Sequence, residues 1–445
     1  MKPEDIGLGT ERIGKLLRKQ AIPASVGILF MTSNLVVDTV LVGQWVGPIA
    51  IAALAVVTPL VFFVASIGFS VGIGGSSVVS RALGAGHHHK ARQAFAHQIM
   101  LTALLTTIFC VAILLFPEHA LKLFGAKGNI SAPALEYLYP VMAVVPLQAL
   151  ASMANSVIRA EGKPRIAMTA LMIASVGNIA CDFLFIQVFG WGIFGAGLAT
   201  AVSMTASFLF VSVHFLRSEL RPRLEDFAPQ WKLTREISAL SFTTFARQSV
   251  ITVLSALLNN SLFAHGGEHA VTVYGIISRM LMFALFPVNG ITEGFQPVAG
   301  FNFGAKKYPR VRESVVVSIK YAGGFAIAIY AVILIFAGDI VGIFSKDPAV
   351  LRDAPDAMRW VFAASPVIAI QLIGAAYFQA SGQAKKALML TLTKQGFFLI
   401  PLILVLPDYF GIFGIWVAFP IADILATAVT SVFLAKAFRT TLKKR

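Results

Sequence analysis

Twelve runs of mostly apolar residues, each about 20 residues or longer, leave this chain few ways to fold. They cover 21–42, 51–79, 94–116, 134–158, 166–189, 193–216, 237–263, 271–298, 315–337, 358–379, 388–406 and 412–434. In hydrocarbon every backbone N–H and C=O has to be bonded inside its own segment, so runs of this length read as spanning α-helices. Composition agrees. Charged residues make up 13% of the 445, against about 25% in a soluble domain, and hydrophobic residues make up 57%. The expected fold is an all-α integral membrane protein of twelve transmembrane helices.

The formal charge of +15 raises the question of nucleic-acid binding, and the position of the charges answers it. Of 36 Lys and Arg, 27 precede the first run, follow the last, or lie in loops that lead from an even-numbered run to an odd one. The opposite side holds five, namely Lys122, Lys127, Lys346 and Arg352 in loops and Arg359 at the edge of the run that follows, and four more lie deeper within runs. That asymmetry is the positive-inside pattern. It predicts a multi-pass protein of the inner (plasma) membrane with both termini cytoplasmic and no nucleic-acid partner. The polar, basic first twenty residues lead into an apolar run without a small-residue cleavage site, so that run is expected to be retained as the first helix.

The chain also repeats itself. Val78-Val79-Ser80-Arg81-Ala82-Leu83-Gly84-Ala85 aligns with Val298-Ala299-Gly300-Phe301-Asn302-Phe303-Gly304-Ala305 at a spacing of 220. Residues 156–163 align with 376–383 at the same spacing, and Gly192-Ile193-Phe194-Gly195 with Gly411-Ile412-Phe413-Gly414 at 219. Six crossings per repeat is an even number, so both halves enter from the same side. The expectation is two parallel six-helix lobes around a central cleft, with an N-terminal lobe at 1–216, a cytoplasmic linker at 217–236 and a C-terminal lobe at 237–445. Such a frame suits a transporter that works by alternating access, and no segment resembles a channel's selectivity filter.

Charged groups inside the runs are expensive and therefore informative. Asp38 lies in the first helix with Asn34 one turn before it; Asp182 lies in the fifth with Asn178 one turn before it. Thr200 on the sixth helix adds a hydroxyl. Two carboxylates in one dry site cannot both stay ionised unless a cation lies between them, so the group suits a proton or Na⁺. Oxygen-only donors favour a hard cation over a transition metal. The bland alternative is that both aspartates merely pair with buried donors. In the second half Arg247, Asn259, Asn260, Arg279, Glu293 and Gln296 form a candidate substrate or charge network, and Lys394 and Asp423 lie in helices 11 and 12. A buried Glu among Phe and Met would attract lipophilic cations. Pro23 lies about four turns before Asp38, where a bend would move the carboxylate's helix.

Other features read as structural. His87, His88 and His89 sit beside Lys90 and Arg92 in a loop, and are expected to be solvated rather than metal-bound. Gly72, Gly74 and Gly75 suit close helix contacts, not a nucleotide loop. Cys110 and Cys181 fall within runs and suggest no disulfide. No enzyme motif stands out, so neither catalytic residues nor a cofactor beyond a coupling ion is expected.

The segments Asn34–Gly43, Asn178 with Asp182, Arg159-Ala160-Glu161-Gly162 and 296–305 resemble the multidrug and toxic compound extrusion (MATE) family across nearly the whole length, and most of all its staphylococcal exporter branch. The resemblance implies export of organic cations or drugs in exchange for H⁺ or Na⁺ by a chain that works as a monomer among membrane lipids. It implies that Asp38, Asn178, Asp182 and Thr200 form the cation-coupling site and that Pro23 is the hinge of helix 1. Some family members carry acidic residues in helices 7 and 10, where this chain has Arg247, Gln371 and Gln379, so the ion site is expected in the first half alone. The competing expectation is a flippase for a lipid-linked saccharide of the same superfamily, with Arg247, Arg279 and Lys394 facing a pyrophosphate.

Overall fold

A computed structural model describes residues 7–125 and 128–443, and among them every regular element is a helix. In order they are α1 (Ile13–Trp45), α2 (Pro48–Gly84), α3 (His88–Leu115), the short α4 (Pro117–Leu123), α5 (Ser131–Ala160), α6 (Pro164–Asp182) and α7 (Gly192–Leu216). Then follow α8 (Trp231–Gly304), α9 (Tyr308–Phe344), α10 (Pro348–Phe362), α11 (Ser365–Ala380), α12 (Ala384–Leu392), α13 (Ile400–Phe410) and α14 (Ile412–Thr440). Wider π-turns at Phe183–Val188 and Thr393–Leu399 continue α6 and join α12 to α13.

The twelve expected spans map onto this series. Among the described residues, ten helices are long and apolar enough to cross a bilayer. One of them, α8, contains two spans, because Gly267 at φ +62 and ψ −160 breaks it in a conformation that a side chain would strain. The tenth span is broken: α10 and α11 meet at 43° across Ala363 and Ala364. The apolar run at 358–379 gave no sign of that break, although Pro366 disfavours a helical conformation for the residue before it. Most helices extend beyond their apolar runs, as polar turns emerge past the hydrocarbon. The segment expected to be a linker over 217–236 is shorter, since α8 already begins at Trp231 and a 3₁₀ turn spans Leu224–Phe227.

Burial follows the solvent. On α3 the outward residues are Leu104, Ile108, Val111 and Leu115, whereas Gln98, Thr102, Thr106 and Cys110 recur every four residues on the buried face. The Thr106 hydroxyl donates to Thr102 O at 2.7 Å and the Gln98 amide to Ala94 O at 3.1 Å, so these two donors are satisfied within their own helix, whereas Gln98 Oε1 and the Thr102 hydroxyl have no partner. Small residues set the packing distance. A Cβ on Gly72 would lie 2.8 Å from Met153 Cα of α5, and one on Gly75 would collide with the Gln98 side chain. The glycines of α2 are contact residues, as expected. Pro23, Pro59, Pro140 and Pro146 all lie inside helices that continue through them.

Two compact units emerge: residues 26–241, and residues 7–25 with those from 242 onward. These borders differ from the hydropathy lobes. The start of α1 packs with the second unit because Gly290 and Gly294, one turn apart on α8, leave a notch for it. A Cβ on Gly294 would lie 2.7 Å from Ala21 N, and one on Gly290 2.6 Å from Ser25 Cα. Polar contacts extend the seam, with Asn302 Nδ2 donating to Leu8 O at 2.9 Å and Arg310 Nη2 to Glu11 O at 2.6 Å. Outside the spans, the Lys19 ammonium, 2.6 Å away, holds the Glu11 carboxyl below its usual range. Pro23 therefore stands between the two notch contacts, three residues before α1 passes into the other unit at Val26.

Candidate cation site

Within the first unit, α1 and α6 run side by side and carry the same pattern. Asn34 and Asp38 share one face of α1; Asn178 and Asp182 share one face of α6. The two ladders meet rung to rung. Asn34 Nδ2 donates to Asn178 Oδ1 at 2.7 Å, and one turn further on the Asp38 carboxyl lies within hydrogen-bonding reach of Asp182. Both helices are odd-numbered spans running in one direction, so equal spacing gives equal register.

Thr200 enters from α7, which comes close to α5 at Gly197. A Cβ there would lie 2.8 Å from Pro140 Cγ and 2.9 Å from Tyr137 O. One turn later the Thr200 hydroxyl accepts from Asn178 Nδ2 at 3.4 Å and donates to Ala196 O at 3.2 Å. It also lies 3.5 Å from the Tyr137 hydroxyl. Asp38, Asn178, Asp182 and Thr200 are thus brought together, and Tyr137 joins them as a group the sequence reading missed. A tyrosine in an apolar helix carries no distinguishing pattern; its place follows only from the packing of α5 on α7.

The site is short of donors. Asp182 is fully buried and Asp38 is 9% exposed, and neither Asp182 oxygen nor Asp38 Oδ1 receives a hydrogen bond. Two acceptor-only carboxylates in contact are repulsive unless a proton or a cation lies between them. Water exclusion strengthens that demand. The oxygens present suit H⁺ or Na⁺. The Asn178 amide oxygen is already engaged by Asn34, so in this conformation Asn178 orients the ladder and leaves carboxylate oxygens of Asp38 and Asp182 as the free ones, with the Thr200 and Tyr137 hydroxyls beside them.

The second unit is organised differently. Glu293 lies within Coulombic range of Arg247, and Gln296 Nε2 donates to Gln379 Oε1 at 3.2 Å. Gln379 Nε2 in turn donates to Thr244 at 3.0 Å. Arg279 does not join the expected network. It lies fourteen residues from Glu293 on the same helix, about 21 Å along the axis, and is exposed. Asn259 and Asn260 are exposed as well, about 18 Å along the helix from Arg247. Lys394, on the π-turn at Thr393–Leu399, pairs with Asp423 of α14 at 2.6 Å, with side chains 14% and 5% exposed.

Comparison with known proteins places this arrangement. The MatE family model matches residues 23–184 and 245–405, one match in each sequence repeat and close to the 220-residue spacing. The multidrug export protein MepA of Staphylococcus aureus (strain NCTC 8325 / PS 47) is 25% identical over 414 residues, covering 92% of this chain and 91% of that protein. Crystal structures of MATE in the straight and the bent conformation share the fold, with TM-scores of 0.93 and 0.92 at 23% identity and 99% of both chains covered. The paired sequence repeats, the twelve spans and the match in both halves have one conclusion: the chain belongs to the MatE family.

Proposed function

We propose that this chain is a secondary active multidrug exporter, moving organic cations out of the cell in exchange for H⁺ or Na⁺ by alternating access. The observation that carries the reading is the donorless contact between Asp38 and Asp182 in a chain of this family. A charge-demanding acid pair in lipid is costly to keep, and a coupling ion gives it a role. MepA, the relative at 25% identity, is named as a multidrug export protein.

In this reading the ion binds between Asp38 and Asp182, with Thr200 and Tyr137 supplying hydroxyls. Asn34 and Asn178 hold the two helices in register. Loading the ion removes the repulsion between the carboxylates and draws α1 toward α6, with Pro23 as the point where α1 bends. By linkage, an ion that favours the drawn-in state and a drug that favours the other lower each other's affinity by the same factor. Glu293 and Gln296 are the groups of the second unit assigned to the cationic drug, which competes with Arg247 for the Glu293 carboxylate. The exporter acts as a single chain among the lipids of the plasma membrane, with both termini cytoplasmic as the basic loops imply. The flippase reading is not favoured, because Asp423 neutralises Lys394, Glu293 acts on Arg247, and Arg279 stands apart.

The test is efflux of a cationic dye from vesicles under an imposed pH or Na⁺ gradient. Wild type is expected to respond to one of the two, and Asp38→Asn, which keeps the shape and removes the charge, to neither. Gradient-driven efflux unchanged in Asp38→Asn would refute the site. Flipping of a lipid-linked saccharide without dye efflux would refute the exporter.

A further inference from the structure

The connecting segment between α7 and α8 folds back onto the start of α3 and creates a cluster that neither stretch shows alone. His89 Nε2 lies 3.6 Å from Asp226 Oδ1, and together with a Glu225 carboxylate oxygen these three atoms fall within 4.8 Å of one another. Asp226 is fully buried, yet its two oxygens fare differently. Oδ2 accepts from Arg92 Nε at 3.2 Å and from the Arg223 amide at 2.9 Å, while Oδ1 has no donor and faces the imidazole. Arg92 and Arg223 also approach Glu225 Oε1, at 3.8 and 3.5 Å.

We infer that His89, Glu225 and Asp226 form a site for a divalent transition ion of the Zn²⁺ class that fastens the connecting segment to α3. One imidazole and two carboxylates, completed by water, are a donor set that such ions accept. With metal–ligand distances of about 2.0–2.2 Å, neighbouring ligands of a tetrahedral ion stand about 3.4 Å apart, close to the observed 3.6 Å. The exposed Glu225 has freedom to close the remaining gap. Arg92 steadies Asp226 through the oxygen the ion would not use, as a carboxylate ligand's partner does in many metal sites. The three-histidine tract, taken alone, had suggested a solvated loop; the two acids that make it a site arrive from more than a hundred residues away. This inference does not depend on what the chain transports.

The experiment is a calorimetric Zn²⁺ titration of the full-length protein, purified in detergent without a polyhistidine tag and stripped with chelator. One saturable site is expected. His89→Ala and Glu225→Gln should each weaken it by roughly tenfold or more, and His87→Ala should leave it unchanged. All three substitutions fall on exposed side chains, so folding is preserved. Zn²⁺ should also slow amide hydrogen exchange across 224–230 in wild type and not in His89→Ala. Lack of saturable binding would overturn the site, as would binding lost in His87→Ala but kept in His89→Ala and Glu225→Gln. Unaltered exchange would overturn the fastening.

Discussion

Asn34 donates its amide to the side-chain oxygen of Asn178 at 2.7 Å, across two helices 144 residues apart in sequence. This bond fixes the register in which the next rung, Asp38 against Asp182, brings two carboxyls together. In a buried site the amide pair costs little to form and much to break, because the oxygen of Asn178 has no water to turn to.

Asn34→Ala should therefore destabilise the protein by about 1–3 kcal/mol, the cost of leaving a buried acceptor without its donor. A lower thermal unfolding midpoint in detergent is the readout. If the acid pair depends on this register, the variant also responds more weakly to the coupling ion, though less severely than Asp38→Asn. An unchanged midpoint would mean that the ladder is held by packing instead.

Gly197 is the close-approach point that delivers Thr200. A side chain there has to displace the Tyr137 backbone or the Pro140 ring, so Gly197→Val should force α7 away from α5 at a cost of about 1–3 kcal/mol. Thr200 would then leave hydroxyl range of Tyr137 and Asn178. The expected signature is a reduced apparent affinity for the coupling ion together with a lower unfolding midpoint. Tyr137→Phe, which keeps the packing, should reduce ion affinity alone. Wild-type ion affinity in both variants would remove the two hydroxyls from the site.

The Asn/Asp ladders were legible in the sequence because an amide and an acid one turn apart stand out in an apolar run, where every other residue is cheap in lipid. The frame was legible for the same reason: hydropathy counted the spans and the 220-residue spacing related them. Tyr137 was hidden because an aromatic residue in a membrane helix looks like any other. The Lys394–Asp423 bond was hidden because each charge was visible alone while their contact depends on how the π-turn at Thr393–Leu399 is set against α14. Chain order puts the start of α1 in the first lobe, whereas the notch at Gly290 and Gly294 packs it into the second unit. Two glycines one turn apart in a membrane helix are too common to signal that partner.

That notch makes a prediction about the hinge. Gly294→Val should push Ala21, and with it the segment around Pro23, off α8, since a Cβ alone would come within 2.7 Å of the Ala21 amide. If the bend at Pro23 takes place against this seam, transport should fall while ion binding at Asp38 persists. Loss of both together would show that the substitution had disrupted α1 throughout.

The ion pair of Lys394 and Asp423 offers a test free of the transport cycle's first half. Removing one partner of a buried pair leaves a charge with no compensation, typically at a cost of about 3–5 kcal/mol, whereas replacing both with apolar groups of similar volume is often neutral. Lys394→Met and Asp423→Leu should thus each destabilise strongly, and the double variant should recover most of the loss in unfolding midpoint. Its efflux then decides what the pair is for. Efflux restored along with stability marks the pair as structural, and a stable double variant without efflux places the charges in the transport pathway of the second unit.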